Sequence, residues 1–342
     1  MTTTIAAPAR PLLTLRASGL VIALGVLALI ALLSVAIGAK AIPLGTVVHE
    51  LFHYDGSDNG VIIRSLRVPR TVLGLAVGVA LGVAGALMQG LTRNPLADPG
   101  VLGINAGAAA AIVTAIAALG LRTPASYVWF ALLGAGIAAV LVYLLGSRGR
   151  SSATPVRLAL AGGAVTAVLS SFVTGLTLLD TAAFNDYRFW SVGSLATEPL
   201  SILAATGPFL LIGVVLAAYL ARPLNALALG DDTGRALGAH FGRTRALGVL
   251  AVTLLCGAAT ATVGPIAFVG LTVPHVARAI TGPDQRWVLP YSAALAPILL
   301  LGADIVGRIT ARPGEIQVGI VTAFIGAPVF ILIARRRRMA AL

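Results

Sequence analysis

Apolar runs follow one another along almost the whole of this sequence, separated by short polar stretches. A run of about 20 apolar residues can cross ~30 Å of hydrocarbon as an α-helix. The pattern therefore predicts ten transmembrane helices, near residues 18–38, 68–92, 99–120, 127–146, 156–178, 200–221, 246–263, 265–281, 288–310 and 316–334.

Composition favours the same class of protein. Of the 342 residues, 58% are hydrophobic and only 11% are charged, too few to cover a soluble protein of this size. The longest polar stretches are 39–67, 179–199 and 222–245, none of which predicts a separate soluble domain. We expect an all-α, polytopic membrane protein with one transmembrane domain over 1–342, preceded by a short tail at 1–17. The run 18–38 is long for a signal peptide and is interpreted as a retained first helix.

Charge predicts the orientation of the chain. The net charge is +12, but the basic residues lie between apolar runs, which indicates membrane topology rather than nucleic-acid binding. An even number of helices places both termini on one side. Arginines near each end, including the four at 335–338, predict that this side is cytoplasmic, with 16 of the 24 Lys and Arg residues on it. The predicted location is the cytoplasmic membrane of a bacterium.

Small residues recur at helical spacing within the apolar runs. Gly74, Gly78 and Gly82 are four residues apart, as are Gly103 and Gly107. Such spacing lets helix backbones approach closely in a membrane. We interpret these glycines as packing residues.

One short motif suggests a different chemistry. Residues 49–53 read H-E-x-x-H, in which two histidines one helical turn apart bind zinc and the glutamate acts as general base. A membrane zinc metalloprotease is therefore a remote alternative. The only other histidines, His240 and His275, are predicted on the cytoplasmic side, and 43–53 reads as a short amphipathic helix on the outer surface. Coincidence is the simpler interpretation, and no metal site is expected.

Two absences from the sequence narrow the transport mechanism. The only lysine is Lys40, flanked by alanines, so no Walker A phosphate loop is present and any ATP must bind to another subunit. Acidic residues inside the apolar runs are nearly absent, with Asp304 the nearest candidate, which argues against ion-coupled secondary transport.

The polar stretch 222–245 suggests coupling to a partner. Gly230 and Asp231 can break and cap a helix, and Gly238 can end one. Leu237 and Phe241 then form an apolar pair four residues apart that could sit in a groove of another protein. An ordinary loop that rests on its own helix ends remains the alternative.

Several motifs together resemble the FecCD family of ABC-transporter permeases, which import iron(III)-siderophore complexes, haem or cobalamin. The resemblance covers about residues 18–336. It rests on the segments 67–70, 85–89, 93–99, 102–104, 190–194, 228–230, 236–238, 264–271, 274–278, 303–308 and 319–330. It implies a fold like that of cobalamin-importer permeases, with ten helices per subunit. It also implies a second permease subunit, two cytoplasmic ATPase subunits and an external solute-binding protein.

The resemblance also implies roles for particular residues. Arg67, Arg70 and Arg308 would dock acidic residues of the solute-binding protein, with anchoring to lipid headgroups as the alternative. Arg64 matches no family position and is left as a possible contributor. The residues implied in ATPase coupling are Gly230, Asp231, Arg235, Leu237 and Gly238.

The function expected from the sequence is that of a permease subunit of an ABC importer for an iron(III)-siderophore complex. Cobalamin or haem is the alternative cargo. The chain would have no catalytic residues and no cofactor of its own.

Overall fold

The structure is a computed structural model that describes residues 10–147, 155–196, 199–228 and 241–339. Every regular element in these ranges is helical. The α-helices are α1 (Arg10–Ala36), α2 (Leu44–Phe52), α3 (Asp58–Val61), α4 (Val68–Thr92), α5 (Ile104–Leu119), α6 (Pro124–Ser147), α7 (Pro155–Leu179), α8 (Thr181–Trp190), α9 (Ile202–Ala228), α10 (Phe241–Val263), α11 (Val269–Thr281), α12 (Gln285–Thr310) and α13 (Val318–Met339). A π-helix, Ile62–Arg67, joins α3 to α4, and a 3-10 helix, Pro99–Leu102, precedes α5.

Each of the ten predicted apolar runs coincides with a helix. In the described part of the chain, seven helical segments are long and apolar enough to cross a membrane: α1, the continuous α3–α4 segment, α6, α7, α9, α10 and α12. Helix α5 and the apolar part of α13, Val318–Leu332, are shorter, and α11 has 13 residues. The all-α membrane fold is thus confirmed, whereas the count of ten crossings stays a prediction.

Helix α4 lies at the centre of the bundle. In its most apolar 18-residue window 78% of residues are buried, against 11% for α1 and for α7. It packs against α9, α10, α11 and α12. Gly74, Gly78 and Gly82 face α12, where a Cβ at Gly78 would overlap the backbone of Pro297 and one at Gly82 the carbonyl oxygen of Ser292. The predicted packing role of these three glycines is confirmed.

The short helix α11 contains a proline that removes a backbone hydrogen bond, and a side chain of α4 supplies the missing donor. Pro274 has no N–H, so the carbonyl of Gly270 loses its helical donor. The side-chain amide of Gln89 on α4 donates to the carbonyl of Leu271 at 3.0 Å and lies 3.4 Å from that of Gly270. Arg278 in turn donates to Gln89 Oε1 at 2.6 Å. The freed backbone group is therefore satisfied inside the protein, as a membrane requires.

The turn between α4 and α5 is capped by its polar residues. Asp98 Oδ1 accepts a hydrogen bond from the Gly100 N–H at 2.7 Å, and Asn94 Oδ1 accepts one from the Leu96 N–H at 3.0 Å. These contacts start the 3-10 helix and support the structural role expected for this turn.

Candidate functional site

The structure brings the three predicted docking arginines to one end of the bundle. Arg67 ends the π-helix, Arg70 lies in the first turn of α4, and Arg308 lies in the last turn of α12. All three contact either Asp304, on α12, or the end of α1. We call Arg67, Arg70, Arg308, Asp304 and Glu315 the arginine cluster.

Arg70 forms the most extensive ion pair of the cluster. Its Nε donates to both carboxylate oxygens of Asp304 at 3.0 and 2.9 Å, and its Nη2 donates to Asp304 Oδ1 at 2.6 Å. Its Nη1 donates in another direction, to Glu315 Oε2 at 2.6 Å. The side chain of Asp304 is fully buried, whereas that of Glu315 is 33% exposed. Arg70 thus bridges a buried acid and an accessible one.

Arg308 shares Asp304 with Arg70. Its Nη2 lies 3.0 Å from Asp304 Oδ2 and donates to Ser34 Oγ at 2.9 Å. Its Nη1 donates to the carbonyls of Ser34 and Ile37 at 2.9 and 2.8 Å. A single buried carboxylate therefore balances two buried guanidinium groups.

Arg67 satisfies the carbonyl groups that α1 leaves open at its C-terminal end. Its Nη1 donates to the carbonyls of Val35 and Ala36 at 3.1 and 2.7 Å, and its Nη2 donates to the carbonyl of Lys40. The last carbonyls of a helix lack intrahelical donors and carry partial negative charge, so a cation is stabilised there. Arg67 and Arg308 together cap α1.

The cluster differs from the sequence prediction in one respect. The docking role implies exposed side chains, but Arg67, Arg70 and Arg308 are only 4%, 8% and 2% exposed. The physical reason is that buried Asp304 needs countercharge and the end of α1 needs donors. The docking role itself stays a prediction. Sequence analysis missed Glu315 altogether, and it noted Asp304 without a partner, although its spacing of four from Arg308 on one helix is typical of an ion pair.

A cavity of about 240 Å³ adjoins the cluster. Its charged lining consists of Lys40, Arg67, Arg70, Arg308 and Glu315, four cations against one anion. An excess of positive charge in a concave site favours an anionic group such as a carboxylate.

Arg64 has a separate, local role. Its Nε and Nη2 donate to the carbonyls of Glu50 and Leu51 at 2.8 and 2.9 Å, and its guanidinium lies 5.0 Å from the ring centre of Tyr54. These contacts tie Arg64 to the end of α2 and to the loop that follows it.

The H-E-x-x-H residues lie on α2 and at its end, as the sequence predicts, but they are arranged for structure. The rings of His49 and His53 stack with their centres 5.3 Å apart. Glu50 is 2% exposed and accepts a hydrogen bond from Ser57 Oγ at 3.2 Å, which orders the following loop. Among the described residues, no three His, Cys, Asp or Glu side chains are grouped to hold a metal ion. The protease alternative gains no support from this geometry.

The predicted ATPase-coupling residues lie outside the described residues, between α9 and α10. Their role stays a prediction for Gly230, Asp231, Arg235, Leu237 and Gly238.

A second polar cluster, which sequence analysis missed, lies at the start of α12, the end opposite the arginine cluster. Asp284 caps the helix by accepting from the Arg286 N–H at 3.0 Å. Asn225 Nδ2 donates to Asp284 Oδ1 at 2.6 Å, and Arg286 Nη2 donates to Oδ2 at 2.8 Å. These hydrogen bonds, those from Arg286 above all, lower the pKa of Asp284 to about 2.

Comparison with known proteins accounts for this architecture. Residues 26–336 match the FecCD transport family. This chain belongs to that family. Among FecCD relatives, it is 48% identical over 305 residues to the ferric enterobactin transport system permease protein of Escherichia coli, covering 89% of this chain and 91% of the relative. It is 42% identical over 306 residues to the Fe(3+)-citrate import system permease protein of Bacillus subtilis, covering 90% and 91%.

The fold of this FecCD chain also matches a solved structure. A metal-chelate type ABC transporter in an inward-facing conformation superposes with a TM-score of 0.83 at 26% identity, covering 93% of this chain and 99% of the other. The resemblance carried by the sequence motifs is confirmed, as is the helical permease fold.

Proposed function

We propose that this protein is the transmembrane permease subunit of an ABC importer that carries an iron(III)-siderophore complex across the cytoplasmic membrane. The observation that carries the proposal is the 48% identity, over nine tenths of both chains, to a ferric enterobactin permease. A second permease subunit, two cytoplasmic ATPase subunits and an external solute-binding protein complete the importer. Both termini then lie in the cytoplasm, and the arginine cluster lies on the external side.

ATP hydrolysis belongs to the partner subunits in this proposal. The sequence has no phosphate-binding loop, and its single lysine, Lys40, lines the cavity at the arginine cluster. The segment 222–245 includes the end of α9 and the start of α10, and would transmit the movement of the ATPases to these two long helices. The cytoplasmic ATPase contact and the external docking surface, two distant sites, are then linked through a change in helix packing.

The arginine cluster suggests how docking could occur despite burial. Glu315 is the accessible acid of the cluster, and it holds only Nη1 of Arg70. A carboxylate of the solute-binding protein would replace Glu315 at this nitrogen, with Lys40 as a second cation in the same cavity. Asp304 would keep its own contacts with Arg70 throughout. Because one carboxylate replaces another, Arg70 stays paired during the exchange, and the displaced Glu315 carboxylate is exposed enough to be solvated by water.

Two single substitutions test this docking proposal. Glu315→Gln removes the internal competitor and should tighten binding of the solute-binding protein, whereas Lys40→Glu should weaken it. The matched control is Arg122→Glu, an exposed arginine in the α5–α6 connection that lies outside the cavity. Binding would be measured by surface plasmon resonance on permease in nanodiscs. Unchanged binding in Glu315→Gln, or equal weakening in Lys40→Glu and Arg122→Glu, contradicts the docking proposal.

The cargo is tested by uptake in cells. Deletion of the gene for this chain should abolish uptake of radio-iron supplied as a ferric siderophore and leave uptake of radiolabelled cobalamin and haem unchanged. Plasmid-borne wild-type protein should restore uptake. Loss of cobalamin or haem uptake with retention of siderophore uptake would assign the alternative cargo instead.

A further inference from the structure

A groove between α9 and α12 opens on the side of the bundle, at the end opposite the arginine cluster. Its cavity of about 680 Å³ is the size of a typical small-molecule site. Buried apolar residues, among them Val83, Ala217 and Leu289, form its floor, while Tyr219 and Pro290 on its rim are exposed. Helices α9 and α12 are both long and apolar enough to cross a membrane, so a lipid can reach the open side of this groove.

Two arginines line the same cavity at the membrane-surface end of these helices. Arg222 is exposed and makes no ion pair or hydrogen bond with any described residue. Arg286 uses its Nε and Nη2 for Asp284, and its Nη1 makes no hydrogen bond with the described residues. An apolar groove thus ends in two cations. Within the described ranges, one of them has no partner and the other keeps a free donor.

The helices that line the groove also contain backbone carbonyl groups that lack their helical N–H donors. Pro223 in α9 and Pro290 in α12 have no N–H, so the carbonyls four residues earlier, those of Tyr219 and Arg286, lose their helical donors. Both prolines and both of these residues line the cavity. At the membrane surface these carbonyl groups can accept hydrogen bonds from a lipid headgroup in place of the missing backbone donors.

We propose that this groove binds an anionic phospholipid with a hydroxylated headgroup, of the phosphatidylglycerol class. The phosphate would lie between Arg222 and Arg286, and the headgroup hydroxyls would donate to the freed carbonyls. One acyl chain would follow the apolar floor over Val83 and Leu289. Basic pockets between transmembrane helices near a membrane surface bind such headgroups through charge-assisted hydrogen bonds. The site is independent of the transported cargo.

The test uses the full-length chain, purified in detergent and stripped of lipid. Phosphatidylglycerol or phosphatidylcholine is titrated in, and bound lipid is counted by native mass spectrometry. Phosphatidylglycerol should bind at least tenfold more tightly than phosphatidylcholine, on the basis of about fivefold for each of two arginines. Arg222→Gln should weaken phosphatidylglycerol binding about fivefold. The matched control, Arg243→Gln, removes the same charge from an exposed arginine at the start of α10, outside the groove, and should leave binding unchanged.

A second variant tests the groove without changing its charge. Ala218→Trp fills the exposed rim and should reduce binding of phosphatidylglycerol. Equal affinity for the two lipids, or equal losses in Arg222→Gln and Arg243→Gln, would overturn the proposal. So would an Ala218→Trp variant that keeps its lipid but loses self-association, because the groove would then be an interface between copies of this chain.

Discussion

Replacing Asp304 by asparagine isolates the electrostatic role of the buried carboxylate. The amide has nearly the same shape, so the packing of α12 against α4 is preserved. The substitution removes the negative charge that faces both Arg70 and Arg308. The side chains of Asp304, Arg70 and Arg308 are each less than one tenth exposed. Two buried cations then keep only neutral acceptors and the partly exposed Glu315.

The structure sets the size of the expected effect. Breaking a buried ion pair by removing one partner costs about 3–5 kcal/mol, because the remaining charge is left buried without compensation. Glu315→Gln removes the other acid from Arg70, but Glu315 is 33% exposed and water can replace it, so the cost should be about 1 kcal/mol or less. We expect Asp304→Asn to lower the free energy of unfolding at least threefold more than Glu315→Gln.

The assay is unfolding of the purified protein by titration with sodium dodecyl sulfate, followed by tryptophan fluorescence. The double variant Arg70→Gln/Asp304→Asn should recover part of the loss, because one of the two uncompensated cations is also removed. Equal losses for Asp304→Asn and Glu315→Gln, or no recovery in the double variant, would show that the cluster is not held by the buried carboxylate.

Three further predictions concern other parts of the chain. Gly85→Ala places a Cβ against a backbone carbonyl of α11 and should destabilise the protein by about 1–3 kcal/mol, whereas Gly163→Ala meets open space and should stay within about 1 kcal/mol of wild type in the same unfolding assay. The lowered pKa of Asp284 contributes stability above about pH 4 that is lost as the pH falls to about 2, so thermal unfolding of Asp284→Asn should vary less over this range than that of wild type. A variation equal to that of wild type would refute the assignment. Gly238→Trp should reduce iron uptake and association with the ATPase, while Gly242→Trp, at an exposed position with open space around it, should not; equal uptake by both variants counts against a coupling role for Gly238.

Hydrophobic patterning located the long helices because length and apolar content are properties of a local stretch of sequence. It predicted helix ends and short helices less well, where a proline or a polar composition opposes the helical pattern. Helix α9 was predicted to end near residue 221 but continues to Ala228, past Pro223, which removes one helical hydrogen bond without ending the helix. Helix α8 was not predicted, since it is short and polar. Its N-cap, Asp180, accepts hydrogen bonds from the N–H groups of Ala182 and Ala183, and this signal was present in the sequence.

The candidate site was predictable only in part for a similar reason. Family motifs pointed to Arg67, Arg70 and Arg308, and topology placed them at one end of the bundle. Their burial depends on partners distant in sequence, such as Asp304, which is 234 positions from Arg70. No local pattern reveals such a pairing, and an arginine that caps a distant helix reads in sequence like one exposed to solvent.

The most direct test of the proposed function is transport by the reconstituted importer. This chain, its partner permease and ATPase subunits, and the solute-binding protein would be assembled in liposomes with ATP inside. We predict accumulation of radio-iron supplied as a ferric siderophore, and none when this chain is omitted or ATP is replaced by a non-hydrolysable analogue. Accumulation that is equal with and without this chain, or that does not require ATP, would contradict the account.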